Sequence, residues 1–252
     1  MKTPEYNPLS ANTHHDIAVA EDSSFSHARA FNLVNIGFNE IATLSGCMPL
    51  VVVNNDDNNS QTLACVVGSE GFGNLFCGTD AWLGHAVPLS IQSHPFNFAF
   101  ADNHKVSVLL NVNDERIQHK TTHPEYALFS ADGQPTLVLK RYQECLTELI
   151  SGLQQSEAFL AILNEHNLLS PLSVTVTRQD GQIIESANLL SIDDRKFASL
   201  SESVIVRFHQ QGLLMAVNAM ILSLRQYNRI VQLTQHHPNP AVKVGIKLSN
   251  WQ

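Results

Sequence analysis

The sequence has few charged residues, and its basic residues are scarcer than its acidic ones. Lys, Arg, Asp and Glu make up 15% of the 252 residues, and the formal net charge is -8 with histidine neutral. A nucleic-acid-binding protein needs a cationic surface that displaces counterions from phosphates, and an anionic lipid surface repels an acidic chain. The composition therefore predicts no binding to nucleic acid.

The sequence also lacks a long apolar run. The longest one, at 213–224, is interrupted by Asn218 and Ser223 and is too short to span a bilayer. The N-terminus, MKTPEYNPLSANTHHD, has no basic start followed by an apolar stretch, which a signal peptide requires. We therefore expect a soluble chain with no membrane insertion and a cytoplasmic location.

Cysteine is scarce, and the motifs of several enzyme classes are missing. No cysteine pair has C-x-x-C spacing, and reduced thiols in the cytoplasm are typical of such a chain. There is no G-x-S-x-G motif, and the glycines of residues 68–73 lack both the dinucleotide-binding spacing and the lysine of a P-loop. The sequence therefore identifies no catalytic residue and predicts no cofactor.

Histidine, by contrast, is abundant, with twelve in the chain. His14, His15, His85 and His94 lie in the first half, together with Glu40, and imidazole with carboxylate suits zinc or non-haem iron. However, no two of these histidines have the spacing that places two ligands on one helix or strand. We therefore predict no bound metal, and these four histidines are the first ligands to test if one is found.

Short apolar runs separated by turn residues fill the first half of the chain. They predict a short helix at 38–44, a polar turn at 54–61, and strands at 50–53, 63–67, 74–77, 86–91, 96–101 and 106–112. From Tyr142 the apolar residues recur in steps of three, four and seven, which predicts a helix that Asn167 and Pro171 end and that Gly152 kinks.

The remaining part of the chain predicts one hairpin followed by helices. Asp180-Gly181 is a hairpin turn between strands at 173–177 and 183–192. Asp193 and Ser201 are helix caps, a long final helix starts at Leu213, and the tail from 239 is a loop or an edge strand. The predicted fold is α+β, with a strand-rich N-terminal half packed against a helix-rich C-terminal half. We treat residues 1–252 as one domain, with a candidate internal boundary near residue 122.

Aromatic residues and prolines are concentrated between residues 74 and 96. Aromatics among turns are typical of recognition surfaces, and they are equally typical of a sheet core. We expect Trp82 to be a core residue and the loop around His94 to be exposed, because imidazole is seldom buried without a partner. The candidate ligand-binding or partner-binding residues are Asn74, Phe76, Trp82, His94 and Phe96.

Several segments match a family pattern that spans roughly residues 14–233. They are Glu40, Pro49, Asn74-Leu75-Phe76, Trp82, Pro88, Pro95-Phe96, the segment LFSADGQPT at 128–136, Asp180-Gly181-Gln182 and Gly212-Leu213. On these segments the chain resembles the SapC-like family of bacterial proteins, which is distinct from the membrane permease of the same name. The family often has a basic pair and an aromatic residue before its Pro-Phe, where this chain has Gln92-Ser93-His94.

The resemblance implies a role rather than a reaction. SapC-like proteins are named for an association with surface-layer loci, and they tend to be encoded beside tryptophan-halogenase-like flavoproteins and TonB-dependent receptors. We therefore expect an accessory or binding protein that recognises a protein partner or a small molecule through residues 74–96. It would be associated with a flavin-dependent halogenase-like enzyme or a TonB-dependent uptake locus. An enzyme with a histidine-centred site and a structural protein of the cell-surface layer are the alternatives.

Overall fold

The computed structural model describes residues 3–55, 60–100, 105–119 and 123–249. Part of the predicted turn at 54–61 and the candidate boundary near 122 fall outside these residues. The strands are β1 (Tyr6–Pro8), β2 (Ile17–Val19), β3 (Leu33–Asn35), β4 (Leu50–Asn55), β5 (Ser60–Val66), β6 (Gly68–Ser69), β7 (Gly73–Asn74), β8 (Phe96–Phe100), β9 (Val106–Asn111), β10 (Ile117–His119), β11 (Leu169–Arg178), β12 (Ile183–Ser186), β13 (Leu189–Ile192) and β14 (Ala241–Leu248).

The helices are concentrated after residue 137. They are α1 (Ala11–His14), α2 (Ile41–Leu44), α3 (Leu89–Gln92), α4 (Leu137–Glu165), α5 (Asp194–Ala198), α6 (Glu202–Gln210), α7 (Leu213–Ser223) and α8 (Tyr227–Leu233). Single 3₁₀ turns lie at Ser26–Ala28, Phe38–Glu40, Pro124–Tyr126, Leu224–Gln226 and Thr234–His236. The strand-rich first half and the helical second half confirm the predicted α+β fold. Among the helices of the described residues, none has the length and apolar character needed to cross a membrane.

The larger sheet is antiparallel, with strand order β12-β11-β13-β4-β5-β3, and β14 pairs with the other edge of β11. Strands β12 and β13 pair with consecutive parts of β11, and the register shifts by one residue between them, next to Asn188 with its φ of 59°. The predicted return strand at 183–192 is therefore divided into β12 and β13 by a one-residue shift in register. Gly181 has a φ of 88° in the turn, as the predicted hairpin requires.

Helices cover the larger sheet and form the larger core. Leu50, Val51 and Val52 are successive residues of β4 and are all fully buried, so this strand is covered on both faces. Phe159 of α4, Phe208 of α6 and Val217 and Met220 of α7 join the same cluster of buried residues. The continuous β-branched run that predicted this strand thus reflects two-sided burial.

A smaller core lies beneath the sheet β1-β9-β8 and the pair β2-β10. Residues on both sides of position 122 build it, with Ile17, Phe96 and Leu110 before that position and Leu128 and Leu139 after it. Helix α4 contributes to both cores, because its N-terminal half supplies Leu139 and Leu146 to the smaller one and its C-terminal half supplies Phe159 and Leu163 to the larger one. At about 1.5 Å per residue this helix is long enough to join them.

Three predicted elements differ from the structure. The chain forms no strand at 86–91, because Pro88 precedes the helix α3 and the Glu40 carboxylate accepts the Leu89 N–H at 2.7 Å. The strand predicted at 74–77 ends at Asn74. The predicted final helix is divided into α7, a 3₁₀ turn and α8. Helix α4 continues through Gly152, where the glycine permits close packing against Gly37.

Candidate functional site

Three of the five predicted site residues lie inside the protein. Asn74, Phe76 and Phe96 are buried. The Asn74 amide donates to the Ala28 carbonyl at 3.2 Å, and its side-chain oxygen accepts the Phe76 N–H at 3.0 Å. Phe76 belongs to the larger core and Phe96 to the smaller one. Contact between these side chains and a ligand would require the packing to open, so a binding role for them stays a prediction.

Trp82 is partly buried against the larger core, as expected of a core residue. Its indole ring stacks on Phe76 with centroids 5.5 Å apart and meets the ring of Phe25 edge-on at 5.8 Å. The indole N–H donates to the Ala86 carbonyl at 2.8 Å. Both the ring and the polar atom of Trp82 are therefore used within the fold.

His94 does not lie in an exposed loop, which corrects the expectation made for it. Only 20% of its side chain is exposed, and its Nε2 donates to the Asp114 carboxylate at 2.5 Å. The other oxygen of Asp114 accepts from Nε of Arg116 at 2.9 Å. The ring of His94 also stacks on the ring of His27, with centroids 4.1 Å apart. We call these four residues, His27, His94, Asp114 and Arg116, the His94 cluster.

Three separate segments hold the His94 cluster. His94 follows α3, and Asp114 and Arg116 lie in the connection from β9 to β10, where Asp114 also accepts the Arg116 backbone N–H at 3.0 Å. His27 lies in the 3₁₀ turn Ser26–Ala28. Asp22 braces this turn, because its carboxylate accepts hydrogen bonds from both the hydroxyls and the backbone N–H groups of Ser24 and Ser26.

Burial and neighbouring charges set the ionisation of the His94 cluster. Burial alone would raise the pKa of Asp114, but the hydrogen bonds from His94 and Arg116 outweigh it and hold that pKa well below its ordinary value. Burial, followed by the charges of His94 and Arg116, lowers the pKa of His27 to about 3. Asp114 is therefore a carboxylate and His27 a neutral imidazole at physiological pH.

The His94 cluster also contains buried polar atoms without a hydrogen-bond partner. Within the described part of the chain, no partner contacts either ring nitrogen of His27 or Nη2 of Arg116. Leaving a buried donor or acceptor unsatisfied costs about 1–3 kcal/mol.

A cleft of about 180 Å³ is lined by Gln92, two residues before His94, and by Tyr142, which packs against Phe96, two residues after His94. Four parts of the chain line it. They are the end of β2 with the residues after it, helix α3, the 3₁₀ turn Pro124–Tyr126, and the first turns of α4. We call it the Tyr142 cleft, and it is lined by Val19, Glu21, Gln92, Tyr126, Val138, Arg141, Tyr142 and Cys145.

Tyr142 connects the cleft to the His94 cluster. Its ring packs against Phe96 with centroids 4.6 Å apart, and burial raises the pKa of its hydroxyl, with smaller opposing contributions from the charges of Arg116 and Asp114. The hydroxyl is therefore a protonated hydrogen-bonding group. The charges of Arg116 and Asp114 therefore act on Tyr142, which lines the cleft.

Cys145 gives the cleft no nucleophile. Its thiol donates to the Leu89 carbonyl at 3.5 Å, and burial, followed by the charges of Glu40 and Glu148, raises its pKa to about 12. A thiol with so high a pKa contains very little thiolate at neutral pH. The cleft offers hydrogen bonds and charge to a ligand rather than covalent attack.

The structure does not bring the four histidines named as possible metal ligands together. The Nδ1 atom of His14 accepts the Ser10 N–H at 3.1 Å, His15 is exposed, and Nε2 of His85 lies 3.1 Å from the Thr43 carbonyl. In residues 3–55, 60–100, 105–119 and 123–249, no group of three or more His, Cys, Asp or Glu side chains could hold a metal ion. The absence of a bound metal stays a prediction for elemental analysis of the purified protein.

Sequence reasoning found His94 but missed its partners and the cleft. Asp114, Glu115 and Arg116 are three consecutive charged residues just after the strand predicted at 106–112, and a search for charges near the aromatic window could have found them. Nothing in the sequence indicates that His27 or Tyr142 belongs to a site. His27 lies in an irregular segment, and the sequence pattern makes Tyr142 the first residue of a predicted helix with an apolar face. Only the packing of distant segments places them beside His94.

The structure is thus an α+β protein with two cores joined by one helix and a polar cleft backed by buried charge. The sequence model described as SapC matches residues 9–230, and the chain belongs to the SapC family. No curated protein and no solved structure matches the chain.

Proposed function

We propose that this SapC-family chain is an accessory or binding protein that takes a small polar molecule into the Tyr142 cleft. The observation that carries the proposal is the convergence of Glu21, Gln92, Tyr126, Arg141 and Tyr142 on one concave site. A few polar groups that converge in a concave site fix the orientation of a ligand and give specificity. The charges of Asp114 and Arg116 in the His94 cluster act on Tyr142 of this site.

The cleft is built mainly on regular structure, which favours binding. Val138, Arg141, Tyr142 and Cys145 are spaced along one face of α4, and Gln92 ends α3. The helices fix the backbone positions of these residues before the ligand arrives, and the partly buried Tyr142 and Cys145 are also packed, so less conformational entropy is lost on binding. A preformed site of this kind needs no large rearrangement.

The resemblance to SapC-like proteins supports the wider setting of the proposal. It favours a cytoplasmic protein that serves a flavin-dependent halogenase-like enzyme or a TonB-dependent uptake locus. The net charge of -8 supports a partner other than nucleic acid. Delivery or sensing of a small molecule for such a partner is compatible with a cleft that has no nucleophile.

A blocking substitution tests the proposal. The purified full chain is incubated with a small-molecule extract of bacterial cells, and the retained compounds are identified by mass spectrometry. We expect the wild-type chain to enrich a small molecule, and Gln92→Trp, which fills the cleft from its exposed rim, to retain at least tenfold less. Gln154→Trp on the exposed side of α4 is the matched control and should retain as much as wild type. Equal retention by Gln92→Trp, or no enrichment at all, would contradict the proposal.

The second candidate is an enzyme with a histidine-centred site, and the His94–Asp114 pair favours it. A carboxylate that accepts from one ring nitrogen orients the imidazole and makes the other nitrogen a potential general base. However, His94 does not line the Tyr142 cleft, so a substrate held by the residues of that cleft would also have to extend to His94. Turnover of the retained compound that His94→Gln abolishes, with binding intact, would establish this function instead.

A further inference from the structure

We infer that the ligand of the Tyr142 cleft is a zwitterion of amino-acid size. Its carboxylate would pair with Arg141 and its ammonium group with Glu21. This inference rests on the proposed function, because it assigns a chemical class to the molecule that the cleft binds.

The first argument is the pair of opposite charges on different walls. Glu21 follows β2 and Arg141 lies in α4, and both line the cleft. Both side chains are exposed, and within the described ranges neither makes an ion pair or a side-chain hydrogen bond. The cleft therefore holds one cation and one anion that are available to a ligand.

The second argument is the exclusion of ligands with a single charge. An anion held by Arg141 would also face the carboxylate of Glu21, and a cation held by Glu21 would face the guanidinium of Arg141. Like charges close together are unfavourable, and they discriminate against the wrong ligand. A ligand that carries both charges satisfies both walls, because it places an opposite charge against each one.

The third argument is the hydrogen-bonding chemistry of the remaining groups. Guanidinium binds carboxylate through two parallel N–H···O bonds, and an ammonium group donates to carboxylate and amide oxygens. The amide nitrogen of Gln92 already donates to the Val87 carbonyl at 2.6 Å, which leaves its oxygen to accept from the ligand. The hydroxyls of Tyr126 and Tyr142 can serve the carboxylate, and Val19 and Val138 supply an apolar wall.

The fourth argument is size. The cleft of about 180 Å³ is smaller than the roughly 300–1,000 Å³ of pockets that hold drug-sized ligands. A nucleotide or a flavin would not fit within it. A free amino acid or a close analogue would fill it with few atoms left outside.

The test compares ligands that differ only in charge. Binding of the twenty common amino acids to the full chain is measured by thermal shift and then by calorimetry. The strongest binder is compared with its N-acetyl derivative, which keeps only the carboxylate charge, and with its amide, which keeps only the ammonium charge. We expect saturable binding of at least one amino acid and at least tenfold weaker binding of both derivatives.

Two substitutions assign each charge to its wall. Glu21→Gln should remove the preference for the amino acid over its N-acetyl derivative, and Arg141→Gln should remove the preference over its amide. Glu157→Gln and Arg225→Gln, which are exposed and lie outside the cleft, are the matched controls and should keep both preferences. Loss of both preferences in either cleft variant, or no change in either one, would overturn the assignment.

The outcomes separate this inference from the proposed function. If the extract yields a singly charged or neutral compound whose retention Gln92→Trp abolishes, the cleft is a binding site and the zwitterion inference is wrong. If no amino acid binds, the zwitterion inference is also overturned. If neither the extract nor the panel gives a ligand, both the inference and the proposed function fail.

Discussion

His27 is an imidazole that the fold keeps neutral by enclosing it. Its ring is stacked on His94, and within the described residues no group pairs with either of its nitrogens. Protonation would place a positive charge beside His94 and Arg116, the groups that together with burial lower its pKa to about 3. The free energy of unfolding therefore depends on pH through the protonation of this side chain.

The stability of the protein should fall between pH 7 and pH 5 in part because of His27. The folded-state pKa of about 3 lies below the ordinary value of 6.5, so the unfolded chain takes up a proton in this range and the folded chain does not. The contribution is complete above pH 6.5 and is lost as the pH falls toward 3. His27→Phe should reduce the loss between pH 7 and pH 5 by on the order of 1 kcal/mol, measured by urea unfolding.

An exposed histidine provides the comparison for this experiment. His209→Phe changes a side chain on the surface of α6, and it should leave the loss between pH 7 and pH 5 as it is in wild type. If His27→Phe loses as much free energy of unfolding as wild type, the ring is not protected from protonation in the folded state.

Substitution of Trp82 and of His94 should each destabilise the fold, for different reasons. Trp82→Ala removes ring contacts with Phe76 and Phe25 and should cost about 3 kcal/mol.

His94→Ala removes a partner of the buried Asp114 carboxylate and should cost about 2 kcal/mol. Both values come from denaturant unfolding at pH 7, and His236→Ala at an exposed position should change it by less than about 0.5 kcal/mol. A wild-type stability for His94→Ala would return His94 to the surface role that the sequence indicated.

At the scale of elements, local patterns predicted most strands and helices, and distant contacts decided the exceptions. The β-branched run of β4 and the helical period of α4 come from their own residues. The apolar run at 86–91 has the composition of a strand, but Glu40, far away in sequence, accepts the N–H at the start of α3 and stabilises a helix there. The site depends on such contacts even more, because His27, His94 and Asp114 come from three separate segments of the chain.

Gly152 shows how one element depends on another. A Cβ atom at this position would lie against the Asn39 side chain and only 2.9 Å from the Cα atom of Gly37. The glycine therefore lets α4 approach the segment that carries Glu40, at the expense of helix propensity. The sequence predicts a kink at this glycine. The reason for a glycine that the tertiary structure reveals is the close approach of α4 to Gly37 and Asn39.

Gly152→Ala should destabilise the protein although alanine favours helices. Crowding against Gly37 and Asn39 should cost about 2 kcal/mol net, because overpacking outweighs a propensity gain of up to about 1 kcal/mol. Gln154→Ala, two residues away on the exposed face, should change the stability by no more than about 0.5 kcal/mol. Thermal unfolding followed by far-UV circular dichroism measures both. A more stable Gly152→Ala variant would show that the two segments separate without cost.

At the scale of the whole molecule, α4 ties the two cores together. A destabilising substitution in the smaller core should therefore also shift the unfolding transition of the larger one. Leu139→Ala should lower the free energy of unfolding by about 3 kcal/mol and shift the transition that Trp82 fluorescence reports, although Trp82 packs against the other core. The measurement uses chains with Trp251→Phe, so that Trp82 is the remaining tryptophan.

Two separate transitions would contradict this expectation. If Leu139→Ala shifts an early change in circular dichroism and leaves the Trp82 transition in place, the cores unfold independently. A shift of both signals by the same amount would instead support the prediction that residues 1–252 form one domain.

The position of β14 has a consequence for how the protein is made. This strand pairs with β11 from Leu172 to Arg178, yet more than sixty residues separate the end of β11 from the start of β14. At about 5–20 residues per second, a ribosome needs on the order of several seconds to supply them. For that interval the backbone N–H and C=O groups on one edge of β11 are open to any strand that passes. The nascent chain is therefore prone to wrong pairing at β11 until β14 is available, and a product without β14 would keep that edge permanently open.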